Sequence, residues 1–314
     1  MDSVILMEGS FGTQLEKYVG KVDGDPLWSA KFLVTEPEKC IAAHRDLVKA
    51  GTQILTTGSY QASIEGYAKY MRLDKNQALS AIKNSVKFAK EAIKREEKES
   101  GIKRCIKVAG SVGPYGAYLH DGSDYTGSYF NKITKQELID WHRPRFEALI
   151  EEGVDLLGFE TIPAMIEAEA LITLLKEFPT QKAWISFSCK DNQSISSGES
   201  FYDTALKCWE LGKEQLIAIG VNCLHPALVV QLFKEIRINH PEIPLIAYPN
   251  SGEHYDLNEG RWIDHSTRLP LTSYTKEWLD LGVKYIGGCC RTNDIDVKQF
   301  SKEIEKWKTS QEVR

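Results

Sequence analysis

The chain has 314 residues, 42% of them hydrophobic and 26% charged, with a formal net charge of -5. That balance provides ample apolar material for a core, and 44 acidic against 39 basic side chains argue against nucleic-acid or anionic-membrane partners. No apolar run approaches the ~18 residues of a spanning helix, and Val4–Met7 is too short for a signal-peptide core, so the expected compartment is cytoplasmic.

Short β-branched runs alternate with longer amphipathic ones throughout. The spacing predicts strands at Val4–Leu6, Gln53–Thr57, Cys105–Ala109, Val154–Phe159, Ala183–Ser188, Leu216–Gly220, Pro244–Ala247 and Lys284–Ile286. Between them, helices are predicted at Glu36–Ala50, Asn76–Ser100, Lys135–Glu152, Ala164–Phe178, Thr204–Leu211, Ala227–Asn239, Thr272–Leu281 and Asp294–Lys308. Gly51, Gly153, Gly212 and Gly282 read as left-handed helix stops. Thr35 ahead of Pro37 reads as a helix start, and Thr134 with Glu137 as a capping box. Eight strand–helix units predict an α/β fold, a (β/α)8 TIM-type barrel in one domain spanning 1–314. The alternative is an open doubly wound sheet, but no Gly-x-Gly-x-x-Gly follows any strand. The Lys- and Glu-rich run 90–104 reads as a solvated helix face.

In such a barrel the chemistry sits at the C-terminal ends of the strands. Those ends carry Glu8-Gly9-Ser10, Gly58-Ser59-Tyr60-Gln61, Ser111 to Gly116, Glu160-Thr161, Asn222-Cys223, Asn250 to Glu253 and Gly287 to Thr292. Seven cysteines, an odd number in a large chain, argue against a disulfide framework. Cys223 and the adjacent pair Cys289-Cys290 fall at two strand ends. Three thiolates at ~2.3 Å would hold Zn²⁺ with its fourth position open. The plainer reading is three buried free cysteines. Gly287 and Gly288 are expected to give the tight turn that lets neighbours share one metal. Cys40, Cys105, Cys189 and Cys208 read as interior helix or strand residues.

Glu8 and Glu160 have no basic neighbour in sequence and suit a ligand ammonium, or an unseen barrel Arg or Lys. Trp28, Tyr60, Tyr115, Tyr118, Tyr125 and Tyr129 gather around a long Gly-rich loop, 111–130, suited to a cation or simply to packing that loop down. His142, beside Pro144, reads as structural. His225 reads as a neighbour of the thiols and His254 as a weaker rim candidate; none has the spacing of a His metal site or a Ser-His-Asp assembly.

Met7-Glu8-Gly9, Leu27-Trp28-Ser29, Gly110-Ser111-Val112-Gly113-Pro114-Tyr115-Gly116, Gly158-Phe159-Glu160-Thr161, Gly220-Val221-Asn222-Cys223, Tyr248-Pro249-Asn250-Ser251-Gly252-Glu253 and Gly287-Gly288-Cys289-Cys290-Arg291-Thr292 resemble the homocysteine S-methyltransferase family over nearly the whole chain. The likeness is to its short, cobalamin-independent members. It implies Zn²⁺ held by Cys223, Cys289 and Cys290, through which those thiolates would be catalytic. It also implies methyl transfer to L-homocysteine from S-methylmethionine or S-adenosylmethionine. Glu160 and the Glu8-Gly9 pair would hold the amino acid, with Ser10, Trp28, Tyr60, Tyr115, Asn222 and Asn250 as further substrate contacts. Relatives more often carry Asp at the position of Glu8. Rival readings are a methyltransferase for another thiol or a selenol such as selenocysteine, a zinc-bound thiol-binding module without turnover, and a barrel lyase with buried cysteines.

Overall fold

Runs of four to seven apolar, β-branched residues are too short for helices and pair in parallel when helices cross back between them. The computed structural model describes residues 4–256, 261–263 and 269–312. Its strands are β1 (Ile5–Leu6), β2 (Ile54–Thr56), β3 (Lys107–Val112), β4 (Leu156–Ile162), β5 (Ala183–Phe187), β6 (Leu216–Asn222), β7 (Leu245–Tyr248), β8 (His254–Asp256), β9 (Arg261–Ile263) and β10 (Val283–Ile286). Eight of them form one sheet in the order β1-β10-β7-β6-β5-β4-β3-β2, while β8 and β9 make a separate antiparallel hairpin. A parallel bridge between Met7 and Ile54, with the Gln53 amide donating to the Leu6 carbonyl at 2.8 Å, closes the barrel.

The core has two layers. Met7, Ile54, Ala109, Leu156, Trp184, Ala218, Ile246 and Tyr285 fill the barrel interior, and a larger cluster lies between strands and helices. Trp184 plugs the centre because Gly158 leaves room for it: a Cβ there would lie 2.4 Å from the indole.

All eight predicted strands and helices are present, with shifted ends. β3, β4 and β6 run further than expected, to Val112, Ile162 and Asn222, so Ser111, Glu160 and Asn222 sit on strands with fixed directions rather than on loops. A short helix at Tyr115–Leu119 lies within the stretch read as a loop, and two more, Phe11–Val19 and Ile64–Met71, occupy stretches for which no element is predicted. Gly51, Gly153 and Gly282 do adopt positive φ, but Gly212 does not. It lies inside the helix Phe201–Gly212, where a Cβ would meet Leu216 at 2.8 Å, so close packing rather than helix termination calls for glycine. Thr35 ends a short helix, Phe32–Thr35, and Glu36 precedes Pro37 as N-cap instead. The Thr134 capping box is formed, and Pro144 lies within that helix. No helix among the described residues is long and apolar enough to cross a membrane.

One core residue carries a stability prediction. His44 is fully buried, stacks on Phe11 at 4.3 Å, and neither ring nitrogen has a partner among the described residues. Burial pushes its pKa down to about 3. Below the ordinary value of about 6.5 the unfolded chain takes up a proton that the folded one refuses, so stability falls with pH by up to about 1.4 kcal/mol per unit. His44→Phe is expected to raise stability by about 1–3 kcal/mol at pH 5 and to flatten the acid slope in urea denaturation. A variant less stable at both pH 5 and pH 7 would show that the ring carries a hydrogen bond.

Candidate active site

The strand ends open into a cavity of about 770 Å³, lined by Glu8, Gly9, Ser10, Trp28, Tyr60, Glu160, Asn222, Asn250 and the three cysteines, among others. The thiol cluster sits on its wall, just past the ends of β6 and β10. The Sγ atoms of Cys223, Cys289 and Cys290 all lie within 4.8 Å of one another. Cys223 and Cys289 are joined as a disulfide with a Cα–Cα distance of 5.4 Å, and the Cys290 Sγ lies 3.9 Å from that of Cys223. Among the described cysteines this is a single bridge with five free thiols, not a disulfide framework. It forms because β6 and the turn after β10 bring two rim thiols within bridging range.

The donor set fits a thiophilic metal once reduced. Metal–sulfur bonds of ~2.3 Å in a tetrahedron set sulfurs ~3.8 Å apart, close to the Cys223–Cys290 separation. The turn that carries the pair is braced on all sides. Cys289 N–H donates to Pro249 at 2.7 Å, Gly288 N–H to the Glu8 carbonyl at 3.0 Å, and Ser251 N–H to the Cys290 carbonyl at 3.2 Å. Its positive φ lies at Arg291 (65°), not at the glycines. Gly287 and Gly288 serve close approach instead: a Cβ would lie 2.7 Å from the Glu8 oxygen and 2.4 Å from the Thr292 hydroxyl. Cys223 also has positive φ (52°), an uncommon conformation held by the fold at a functional position.

Two buried carboxylates line the same cavity, Glu8 just past β1 and Glu160 within β4. Thr56 Oγ1 donates to Glu8, whose second oxygen has no partner among the described residues. Ser111 Oγ and the Tyr248 hydroxyl donate to Glu160. Tyr248 in turn accepts from the Trp184 indole at 2.9 Å, so the barrel plug sets the angle of the carboxylate above it. Burial pushes Glu160 up to about 7, and burial together with the Glu160 charge holds Glu8 well above the usual carboxylate range. Neither has a basic partner among the described residues.

The other expected contacts divide. Gly9 and Asn250 line the cavity, and the Asn250 Oδ1 is buried without a donor among the described residues. Ser10 lines it too, but its hydroxyl caps the helix Phe11–Val19. Asn222 uses both ends of its amide on Thr161, accepting from its N–H at 2.7 Å and donating to its hydroxyl at 2.8 Å. This clasp holds Thr161 at φ 59°, beside Glu160. Trp28 and Tyr60 meet edge to face at 6.4 Å on one wall. Tyr115 does not line the cavity. It packs against Tyr118, Tyr129 and Trp141 on the outside of the loop, because the helix Tyr115–Leu119 turns its ring toward the helix Lys135–Glu151. Tyr125 takes its place and donates to Cys290.

Cys40 and Cys208 are buried as expected, whereas Cys105 is exposed before β3 and Cys189 lies past β5 on the cavity wall. His225 lines the cavity and caps the turn at Ala227. The side chain of His254 lies outside the described residues.

Glu167, which no motif marked, anchors the loop. It accepts from the Tyr115 N–H at 2.7 Å, from the Tyr129 hydroxyl, and from His142 Nε2 at 2.7 Å. Arg145 donates to His142 Nδ1 at 2.9 Å, which leaves the imidazole proton on Nε2 facing Glu167. The same guanidinium donates to the carbonyls of Gly113 at 2.6 Å and Tyr60 at 3.0 Å, tying two cavity loops to one helix. His142 is thus structural, as expected.

Residues 5–304 match the family described as homocysteine S-methyltransferase. A Drosophila melanogaster protein named betaine-homocysteine S-methyltransferase is 40% identical, covering 96% of this chain and 94% of its own length. Homocysteine S-methyltransferase YbgG of Bacillus subtilis is also 40% identical, over 98% and 96%. The Escherichia coli homocysteine methyltransferase MmuM superposes at 36% identity in two solved forms. The oxidised form has a TM-score of 0.84 with 95% of each chain covered, and the metallated form 0.83 with 96%. With its barrel, its rim thiols and this likeness along almost its full length, the chain belongs to the homocysteine S-methyltransferase family and is an enzyme of that activity.

Proposed function

We propose that the chain is a zinc-dependent methyltransferase that moves a methyl group from a sulfonium donor to L-homocysteine, giving methionine. S-methylmethionine is the first choice of donor and S-adenosylmethionine the second. The observation that carries the reading is one cavity lined both by three thiols within 4.8 Å of one another and by two buried carboxylates with no basic partner among the described residues.

Cys223, Cys289 and Cys290 are the residues to hold the metal, in their reduced form. Bound zinc supplies ionisation of the acceptor thiol, which at its ordinary pKa of ~8.5 is only a few per cent thiolate at neutral pH. Glu160 and Glu8 receive the homocysteine ammonium and so aim its sulfur at the three thiols. Ser111, Tyr248 and Thr56 hold those carboxylates in place. Trp28, Tyr60 and Tyr125 offer aromatic faces to a cationic donor. In the transfer, the donor carbon–sulfur bond breaks with its electron pair retained on the donor sulfur, and the acceptor sulfur forms the new bond. No proton moves to the leaving group, so the site needs no general acid. Its residues bind, orient and exclude water.

The whole chain, 1–314, then serves as one homocysteine-binding domain in a reducing compartment, the cytosol, where the trio stays as thiols. The test is methionine formation by reduced, zinc-loaded protein with S-methylmethionine, S-adenosylmethionine and betaine offered separately. Turnover with a sulfonium and none with betaine is expected. Turnover with betaine alone would overturn the sulfonium reading.

A further inference from the structure

The carboxylates around the cavity mouth account for one another almost completely. Glu253 and Glu16 face Arg291 at 2.8 and 3.8 Å, and Asp25 pairs with Lys31 at 2.7 Å. Asp121 is exposed and caps the Ser123 amide. Asp124 and Asp23 remain, each on a different loop; Asp23 lies within the field of the Arg291 guanidinium, whereas Asp124 has no basic partner among the described residues. Both line the cavity that holds the three thiols.

Of the two, Asp124 is the prepared one. Its backbone is fixed, with the carbonyl accepting from Ser188 Oγ at 3.1 Å and that serine accepting from Ser196 at 2.8 Å. Gly116 lets the loop fold back onto it, since a Cβ there would lie 2.5 Å from the Asp124 nitrogen. Its carboxylate lies 3.5 Å from the Tyr60 hydroxyl, and burial pushes its pKa up to about 6, the mark of a desolvated charge without a counter-ion. Next to Tyr60, Gln61 turns its amide nitrogen toward the Ala117 carbonyl at 3.5 Å, which leaves its buried Oε1 without a donor among the described residues. This wall therefore lines the cavity with a carboxylate held by the Tyr60 hydroxyl and by backbone N–H groups but by no cation among the described residues, and with an amide oxygen that has no donor among them.

We propose that Asp124 is a specificity-determining residue that receives the α-ammonium group of the methyl donor, so that the site selects sulfonium donors that are themselves amino acids. The inference rests on the donor reading given above and deepens it. An ammonium has N–H groups for Asp124 and for Gln61, whereas the quaternary nitrogen of betaine has none. Glu8 and Glu160, at the strand ends, serve the acceptor's ammonium, and Asp124, on a loop lining the same cavity, serves the donor's. The two amino acids thus enter with their sulfurs converging between those anchors.

The experiment compares S-methylmethionine with 3-dimethylsulfoniopropionate, a sulfonium with a carboxylate but no ammonium, using reduced, zinc-loaded wild type, Asp124→Asn and Asp124→Glu. Wild type is expected to prefer S-methylmethionine in kcat/KM. Asp124→Asn is expected to reduce that preference about 10–100-fold, mainly through the KM for S-methylmethionine, while the homocysteine KM moves less than about threefold. Asp124→Glu is expected to restore most of the preference. An unchanged preference in Asp124→Asn, or an equal loss with both donors, would overturn the assignment. If wild type turns over neither sulfonium, the donor reading fails by itself. Calorimetric binding of S-methylmethionine then decides for Asp124: binding to wild type that weakens about 10–100-fold in Asp124→Asn supports the anchor, and no binding or equal binding overturns it.

Discussion

Replacing Cys289 with alanine is expected to abolish stoichiometric zinc binding and to cut methyl transfer by at least about a thousandfold. The magnitude follows from two losses. Without the metal, only a few per cent of homocysteine is thiolate at neutral pH, a penalty of about thirtyfold. Loss of the fixed sulfur position costs about another hundredfold or more, as effective molarities for aligned groups indicate. Cys223 and Cys290 remain 3.9 Å apart in the variant, but two thiols do not make the trio. Metal content by elemental analysis and turnover with saturating donor check the expectation, with thermal melting as the control for folding. Retained stoichiometric zinc with turnover within tenfold of wild type would mean that the rim thiols are buried cysteines and no more.

The second large effect lies at Glu160. Glu160→Gln is expected to weaken homocysteine binding by about 30- to 700-fold, the equivalent of about 2–4 kcal/mol for a desolvated charge pair, with zinc content unchanged. The same substitution should act oppositely on stability. A carboxyl pushed up to about 7 in the folded state binds its proton more tightly than in the unfolded chain. Stability is thus present below the unfolded pKa of about 4.3 and lost as pH rises through 7. The ligand-free Glu160→Gln variant is expected to melt higher than wild type at pH 8 and the same at pH 4. For wild type, homocysteine affinity should rise between pH 6 and pH 8 as the anchor ionises. A variant that binds homocysteine normally would remove Glu160 from the amino-acid site.

The barrel was legible because strand length, helix length and their alternation are set locally, by apolar period and capping chemistry. Thr134 with Glu137 is an example that holds atom for atom. The carboxylates and thiols were legible because a parallel barrel puts every strand end on one rim, so their positions along the chain fix their neighbours. What was hidden depends on packing between distant segments. Nothing in the tyrosine-rich loop distinguishes Tyr115, which turns outward, from Tyr125, which reaches Cys290. The choice is made by a five-residue helix and by Trp141. The glycines at 287 and 288 looked like turn formers, and only the contacts with Glu8 and Thr292 show that they make room. Glu167 carries no motif, since it matters through partners on three other segments. Cys105 and Cys189 were misplaced because strand ends read from sequence are uncertain by a few residues, enough to move a side chain from interior to surface.

The way the loop 113–130 is fastened has a bearing on how such enzymes diversify. The carboxylates and thiols sit on the strands or just past their ends. The loop hangs from a few points, chiefly Glu167, Arg145 and Ser188, that lie outside the thiol cluster. On the reading proposed above, a lineage that keeps those fastenings is free to rewrite the stretch between them and exchange one methyl source for another, with the sulfur-accepting half left untouched.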